Sequence, residues 1–210
     1  MSTSAIVSNA FAEHNRECDS ILLESAMGQF SKQETAALII DGPNFQGMLA
    51  QLGISPDFGT LFDTFRRFVS LRAIYYFTAV SDDAHHNTTR DQIRWLARNG
   101  VRVVTKPSVK MPDESGVVRW KGNMDVDIAV TALTECQVFD TVILSSGDGD
   151  FSRLMRAIRA RGQRAVLLAS EKTRTRHLSE ELRTSVDGFI DMAWFSGTMT
   201  MRAVTTGEAA

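Results

Sequence analysis

The chain has 210 residues, of which 43% are hydrophobic and 23% are charged, a composition typical of one globular domain with a sizeable core. Its net charge of −2 excludes the strongly basic composition of many nucleic-acid binders, so any nucleic-acid site has to be a local patch. No apolar run approaches the roughly 20 residues of a membrane span, and Cys18 and Cys136 have no metal-ligand spacing. We therefore expect a soluble, cytoplasmic protein with reduced thiols and no membrane partner.

The two ends of the chain differ in pattern from its middle. Residues 1–34 mix small and polar residues with scattered apolar ones, and we predict a helical extension outside the core that could serve as the arm of a homodimer. The domain itself is predicted over residues 35–195. Residues 196–210 have no periodicity and are predicted to form a flexible tail.

Short apolar runs alternate with helical patterns through the domain. In chain order, we predict strands over residues 36–42, 72–80, 101–107, 140–150 and 163–170. Helices are predicted over residues 59–70, 88–100, 123–136 and 151–162, with a loop around Pro112 and a final segment over residues 178–192. This alternation is typical of βαβ units. The predicted fold is therefore α/β, a three-layer α/β/α sandwich around a mainly parallel five-stranded sheet.

Aspartates follow two of the predicted strands, at the points where those strands end. Asp41 ends the first strand, and Asp148 and Asp150 follow the fourth. Ligands of open parallel sheets bind beyond the carboxyl ends of the strands, so neighbouring first and fourth strands would bring three carboxylates together. Asp125 and Asp127, in the first turn of the intervening helix, can add a further carboxylate.

A group of carboxylates favours a hard divalent cation, because like charges raise one another's pKa unless a cation relieves the repulsion. Mg²⁺ prefers oxygen ligands, and a pair of such ions suits phosphodiester hydrolysis. Each aspartate also has a simpler interpretation. Asp41 can be a turn residue, Asp150 a helix cap, and Asp125 and Asp127 favourable charges near a helix N-terminus.

Three segments resemble the signature blocks of NYN domains, in the LabA-like branch of the PIN-like nucleases. They are residues 41–45, 121–133 and 146–162, with the sequences DGPNF, KGNMDVDIAVTAL and SGDGDFSRLMRAIRARG. The resemblance covers residues 35–193. It implies a PIN-like sheet with strand order 3-2-1-4-5, in which strands one and four are neighbours, and a metal-dependent ribonuclease activity.

The resemblance also implies roles for single residues. The active-site acids of the family, which hold Mg²⁺ or Mn²⁺, match Asp41, Asp125, Asp148 and Asp150. Asn44 is implied as a polar companion in catalysis, and Asp127 matches a position that is often acidic and can join the metal ligands. Many relatives carry another aspartate at the position of Thr131, which this chain lacks.

Basic residues near these segments are candidate contacts for RNA phosphates. Lys121 precedes the acidic helix, and Arg153 and Arg156 face solvent by helical periodicity, beginning beside the predicted site. The alternatives are a lysine that pins its loop to a carboxylate and an ordinary solvated helix face. Trp120 is a candidate for base stacking.

Two other functions are alternatives to a ribonuclease. A protein of this fold could bind RNA or regulate without cutting it. A phosphatase of the haloacid dehalogenase type would need a second aspartate two residues after Asp41, where this chain has Pro43.

Overall fold

A parallel sheet with flanking helices organises the computed structural model, which describes residues 17–80, 87–112, 118–121, 123–173 and 178–199. The strands are β1 (Thr35–Asp41), β2 (Ser70–Val80), β3 (Arg102–Pro107), β4 (Val109–Pro112), β5 (Val118–Lys121), β6 (Thr141–Ser145), β7 (Arg164–Ala169) and β8 (Gly188–Asp191). The helices are α1 (17–27), α2 (Gly42–Leu52), α3 (Phe58–Phe68), α4 (Asn87–Arg98), α5 (Asp125–Thr134), α6 (Ser152–Ala160) and α7 (Glu180–Thr184).

Six strands form the main sheet, in the order β3-β2-β1-β6-β7-β8. Every neighbouring pair in it is parallel. Right-handed crossovers run in opposite directions from β1, which places α2 to α4 on one face and α5 to α7 on the other. The predicted α/β sandwich is confirmed, and so is the implied order of the first five strands of this sheet.

The prediction of five strands is wrong by one, because the sheet continues into β8. This strand has only four residues, GFID, and two of them are half-buried, so it lacks the continuous apolar run that marks a central parallel strand. β4 and β5 pair antiparallel as a separate two-stranded sheet, within a segment whose sequence predicted a loop.

The chain termini pack more closely than their sequences predict. Leu23 and Met27 of α1 are 3% and 0% exposed and belong to the hydrophobic core, so the prediction of an extension outside the core is wrong for this helix. Met199, 3% exposed, also joins the core, so the tail is packed up to that residue. The rest of both predicted end segments, residues 1–16 and 200–210, lies outside the described residues.

Buried apolar side chains fill the space between the sheet and the helices. All five central residues of β1, from Ala36 to Ile40, are 0% exposed, because β1 lies in the middle of the sheet with a helix layer on each face. Among the described residues, no helix is long and apolar enough to cross a bilayer.

Candidate active site at the carboxyl edge of the sheet

β1 and β6 end side by side, and their last residues begin the candidate site. Ile40 pairs with Ser145 in the parallel ladder, so Asp41 and Ser146 follow at the same level. The Ser146 hydroxyl donates a hydrogen bond to Asp41 Oδ2 at 3.0 Å. The backbone N–H of Asp148 donates to Ser146 Oγ at 3.2 Å. Ser146, which is fully buried, therefore links the end of β1 to the turn after β6.

The turn after β6 is held from two sides. The backbone N–H of Gly147 donates to Asn44 Oδ1 at 2.9 Å, so the polar companion implied in the sequence fixes the turn to α2. On the other side, the Ser179 N–H donates to the Gly147 carbonyl at 2.9 Å. A Cβ added at Gly149 would lie 2.8 Å from Ser179 Oγ, so a larger residue here would require the Ser179 side chain to move.

Three aspartates converge beside this turn. Asp125, Asp148 and Asp150 each offer a carboxylate oxygen, and these oxygens all lie within 4.8 Å of one another. Asp148 also accepts a hydrogen bond from the Asp150 N–H at 3.0 Å and caps the short 3₁₀ helix Gly149–Phe151. Asp125 begins α5. We name Asp125, Asp148 and Asp150 the acidic triad.

Asp41 lies beside the acidic triad in a partly buried position. Burial raises the pKa of its carboxyl group from 3.8 to about 6. The Ser146 hydrogen bond opposes this rise, and the negative charges of Asp125 and Asp148 add to it. Asp41 is therefore coupled electrostatically to two members of the triad, as expected for acids gathered at one edge of the sheet.

Asp127 does not join the triad. Its carboxylate forms an ion pair with Lys106, at the end of β3. Residues two positions apart on a helix do not face each other, so α5 can direct Asp125 towards the triad and Asp127 towards β3. The structure thus separates two aspartates that were both candidate metal ligands in the sequence.

The predicted RNA-binding residues have different surroundings. Arg153 is exposed and makes no ion pair among the described residues. Arg156 is exposed but pairs with Glu181 of α7 at 3.0 Å. Lys121 ends β5, and its side chain, like that of Trp120, lies outside what the structure describes.

A pocket of about 460 Å³ opens at the carboxyl edge, and Asn44, Asp148 and Glu180 are among its lining residues. Ser179 and Glu180 complete its wall from the start of α7. Sequence reasoning missed both, because neither belongs to an acidic or glycine-rich motif. The only available signal was Ser179 as an N-cap, followed by two glutamates.

Comparisons with known proteins identify the family and the fold. The model of the NYN domain family matches residues 35–193, more than half of the chain. The low amplitude and bright protein LabA of Synechococcus elongatus is 28% identical over 126 residues, which cover 59% of this chain and 64% of LabA. A crystal structure of a protein of unknown function from Vibrio parahaemolyticus shares the fold, with a TM-score of 0.61 and 23% identity, over 77% of this chain and 94% of that one.

Proposed function

The chain belongs to the NYN domain family, a family of PIN-like nucleases, and from this premise we propose that it hydrolyses RNA phosphodiester bonds at a divalent metal site. The acidic triad, with its oxygens within 4.8 Å of one another, is the observation that carries the proposal. RNA, single-stranded or structured, is the proposed substrate because of the family to which the chain belongs.

The donor set fits Mg²⁺ or Mn²⁺. The triad offers oxygen ligands only, which hard divalent cations prefer. Among the described residues, no lysine or arginine forms an ion pair with Asp125, Asp148 or Asp150. Carboxylates at such separations repel one another, so a bound cation would remove an unfavourable interaction that the protein itself leaves in place.

The residues of the site have different proposed roles. Asp125, Asp148 and Asp150 would hold the cation, and Asp41 supports them from the end of β1. Ser146 and Asn44 fix the directions of Asp41 and of the turn, through their hydrogen bonds to Asp41 and Gly147. A cation bound there supplies Lewis acidity towards the phosphodiester and lowers the pKa of water.

The basic residues would position the RNA backbone. Arg153 lies on the first turn of α6, three residues after Asp150, with its charge uncompensated among the described residues. It is therefore the first candidate for a phosphate contact. Arg156 is the second candidate, because it already forms an ion pair with Glu181. Lys121 is the third candidate, on its position in the sequence alone.

The test is cleavage of a labelled single-stranded RNA in Mn²⁺. Losing a residue that only supports a metal ligand lowers activity or metal affinity by ~10–100-fold. We expect Asp148→Asn and Asp125→Asn, which remove a ligand itself, to lose at least this much. Asp63→Asn, which removes an exposed carboxylate of α3 that pairs with Arg66, is the matched control and should retain activity. Thermal melts with and without Mn²⁺ give a second readout that needs no substrate, because a ligand bound only by the native state raises the melting temperature.

Two results would change the conclusion. The protein would be a non-catalytic RNA-binding or regulatory module if it binds RNA without cleaving it and its melting temperature does not change with Mn²⁺. Cleavage that survives both triad substitutions would refute the assignment of the site.

A further inference from the structure

A second pocket, of about 360 Å³, lies between the start of α3 and α4, and it is outside the acidic site. Among the described residues it is lined by Pro56, Asp57, Phe58, Gly59, Gln92 and Trp95. Its volume is that of a small-molecule site. Trp95 is 43% exposed, an unusual exposure for the largest apolar side chain of the twenty. The indole therefore offers a planar apolar surface at the wall of this pocket.

One polar group of the pocket has an unfilled hydrogen-bonding capacity. Gln92 Oε1 accepts a hydrogen bond from Gln46 Nε2 at 3.0 Å, which fixes the orientation of the Gln92 amide. The other end of that amide, Nε2, is buried and has no hydrogen-bond partner among the described residues. Buried amide groups are nearly always paired, so a donor left in this state beside an apolar pocket is available to a ligand that carries an acceptor.

The same side chains connect this pocket to the acidic site. Gln46 donates a second hydrogen bond to the Tyr76 hydroxyl at 2.9 Å. The Tyr76 ring lies edge-on to Phe58 of the pocket, with 5.7 Å between the ring centroids. Tyr76 also packs against Gly42, where an added Cβ would come within 2.7 Å of the ring. Gly42 directly follows Asp41, so Tyr76 contacts both a residue of the pocket and the residue next to Asp41.

We propose that this pocket, bounded by Trp95 and Gln92, binds a nucleobase of the RNA strand whose phosphodiester lies at the acidic triad. The inference rests on the proposed function, and it adds a base-binding site to it. A nucleobase stacks on an aromatic face whatever its sequence, and its carbonyl or ring nitrogen accepts a hydrogen bond from Gln92 Nε2. An aliphatic side chain would fill the pocket but leave that donor unpaired, which is costly in a buried position.

Binding measured in EDTA tests the pocket without any contribution from cleavage. The probe is a fluorescently labelled single-stranded oligoribonucleotide, and the change is Trp95→Ala. We expect affinity to fall about 5- to 100-fold, the effect of losing one base–aromatic stack. Trp95→Phe should restore much of it, which shows that the loss comes from the ring and not from misfolding. Val138→Ala, at another exposed apolar side chain (74% exposed), is the control and should bind as the wild type does.

Two further arms identify the base as the occupant. An oligonucleotide with abasic positions should bind the wild type as weakly as the normal probe binds the Trp95→Ala variant. With the abasic probe, Trp95→Ala should not lower the affinity further. Gln92→Glu keeps the acceptor for Gln46 but replaces the unpaired donor with an acceptor. It should change the order of preference among oligo(U), oligo(C) and oligo(A).

The pocket and the proposed function can fail separately. Unchanged affinity in Trp95→Ala, or an equal loss with the abasic probe, would overturn the pocket even in a protein that cleaves RNA. Base-dependent binding that needs Trp95 would support the pocket even if the protein cleaves no RNA. The absence of cleavage would then refute only the nuclease proposal.

Discussion

Asp41 shows, at the scale of one residue, that burying an ionised carboxylate at the site is unfavourable in the absence of a cation. Burial raises the pKa of its carboxyl group from 3.8 to about 6, so the native state binds this proton more tightly than the unfolded chain does. Without metal, the contribution of Asp41 to the free energy of unfolding therefore decreases as the pH rises from about 4 to 6. Above pH 6 the ionised group costs the fold on the order of 2–3 kcal/mol.

We predict that Asp41→Asn stabilises the metal-free protein above pH 6 while abolishing cleavage. Asparagine keeps an oxygen that accepts the Ser146 hydrogen bond, but it carries no charge to desolvate. Urea unfolding in EDTA should give a gain on the order of 2–3 kcal/mol at pH 8 that shrinks towards pH 4. A variant less stable than the wild type at pH 8 would instead mean that Asp41 acts mainly as a structural cap.

The residue scale also separates Asp125 from Asp127. Both are aspartates in the first turn of α5, two positions apart, and their positions on the helix alone do not favour one over the other as a ligand. The ion pair of Asp127 with Lys106 depends on how α5 lies against the end of β3, and this is a property of the packed molecule.

At the scale of elements, α1 is part of the fold although it precedes the sheet. Met27 is 0% exposed, and the Arg164 guanidinium at the start of β7 donates to the Gln29 carbonyl just after the helix, at 2.9 Å. The helix therefore closes the core at the amino edge of β7. Removing residues 1–30 would uncover buried apolar side chains.

We predict that Met27→Ala lowers the free energy of unfolding by about 2–5 kcal/mol, the usual effect of truncating a buried methionine. Ile21→Ala, on the same helix but 63% exposed, should change it by about 0.5 kcal/mol or less. Chemical denaturation of the two variants measures the difference. Equal and small effects would show that α1 adds little to the stability of the core.

At the scale of the whole molecule, the net charge of −2 means that RNA gains nothing from an overall attraction. Binding of the proposed RNA substrate has to come from local contacts, and the acidic site repels the RNA backbone unless a cation is bound. Uncompensated arginines near the carboxyl edge then matter more than the total number of basic residues.

We predict that Arg153→Ala lowers the salt dependence of single-strand RNA binding by about 0.7 in the slope of log K against log salt, the value for one lost phosphate contact. Arg66→Ala removes the same charge from α3, where Arg66 pairs with Asp63, and should leave the slope unchanged. Arg156→Ala should fall between them, because Glu181 already shares the charge of Arg156. Equal slopes in all three variants would identify an ordinary solvated face.

The sequence by itself determined the central strands of the sheet and the position of the main acids along the chain. Strands buried on both faces have to be continuous apolar runs, so β1, β2, β6 and β7 are visible in the chain. Asp41 and Asp148 stand directly after two of these runs, and parallel strands end at one edge. The resemblance to NYN domains then implied that β1 and β6 are neighbours, and the sheet confirms it.

Only the tertiary structure decided which side chains meet. The four-residue β8 and the core positions of α1 depend on burial against distant elements, because their own sequences are too short or too mixed to require it. The pocket between Trp95 and Phe58 is built by two helices that are separated by β2, and Glu180 reaches the acidic site from α7. Such contacts join residues far apart in the chain, so local periodicity carries no information about them.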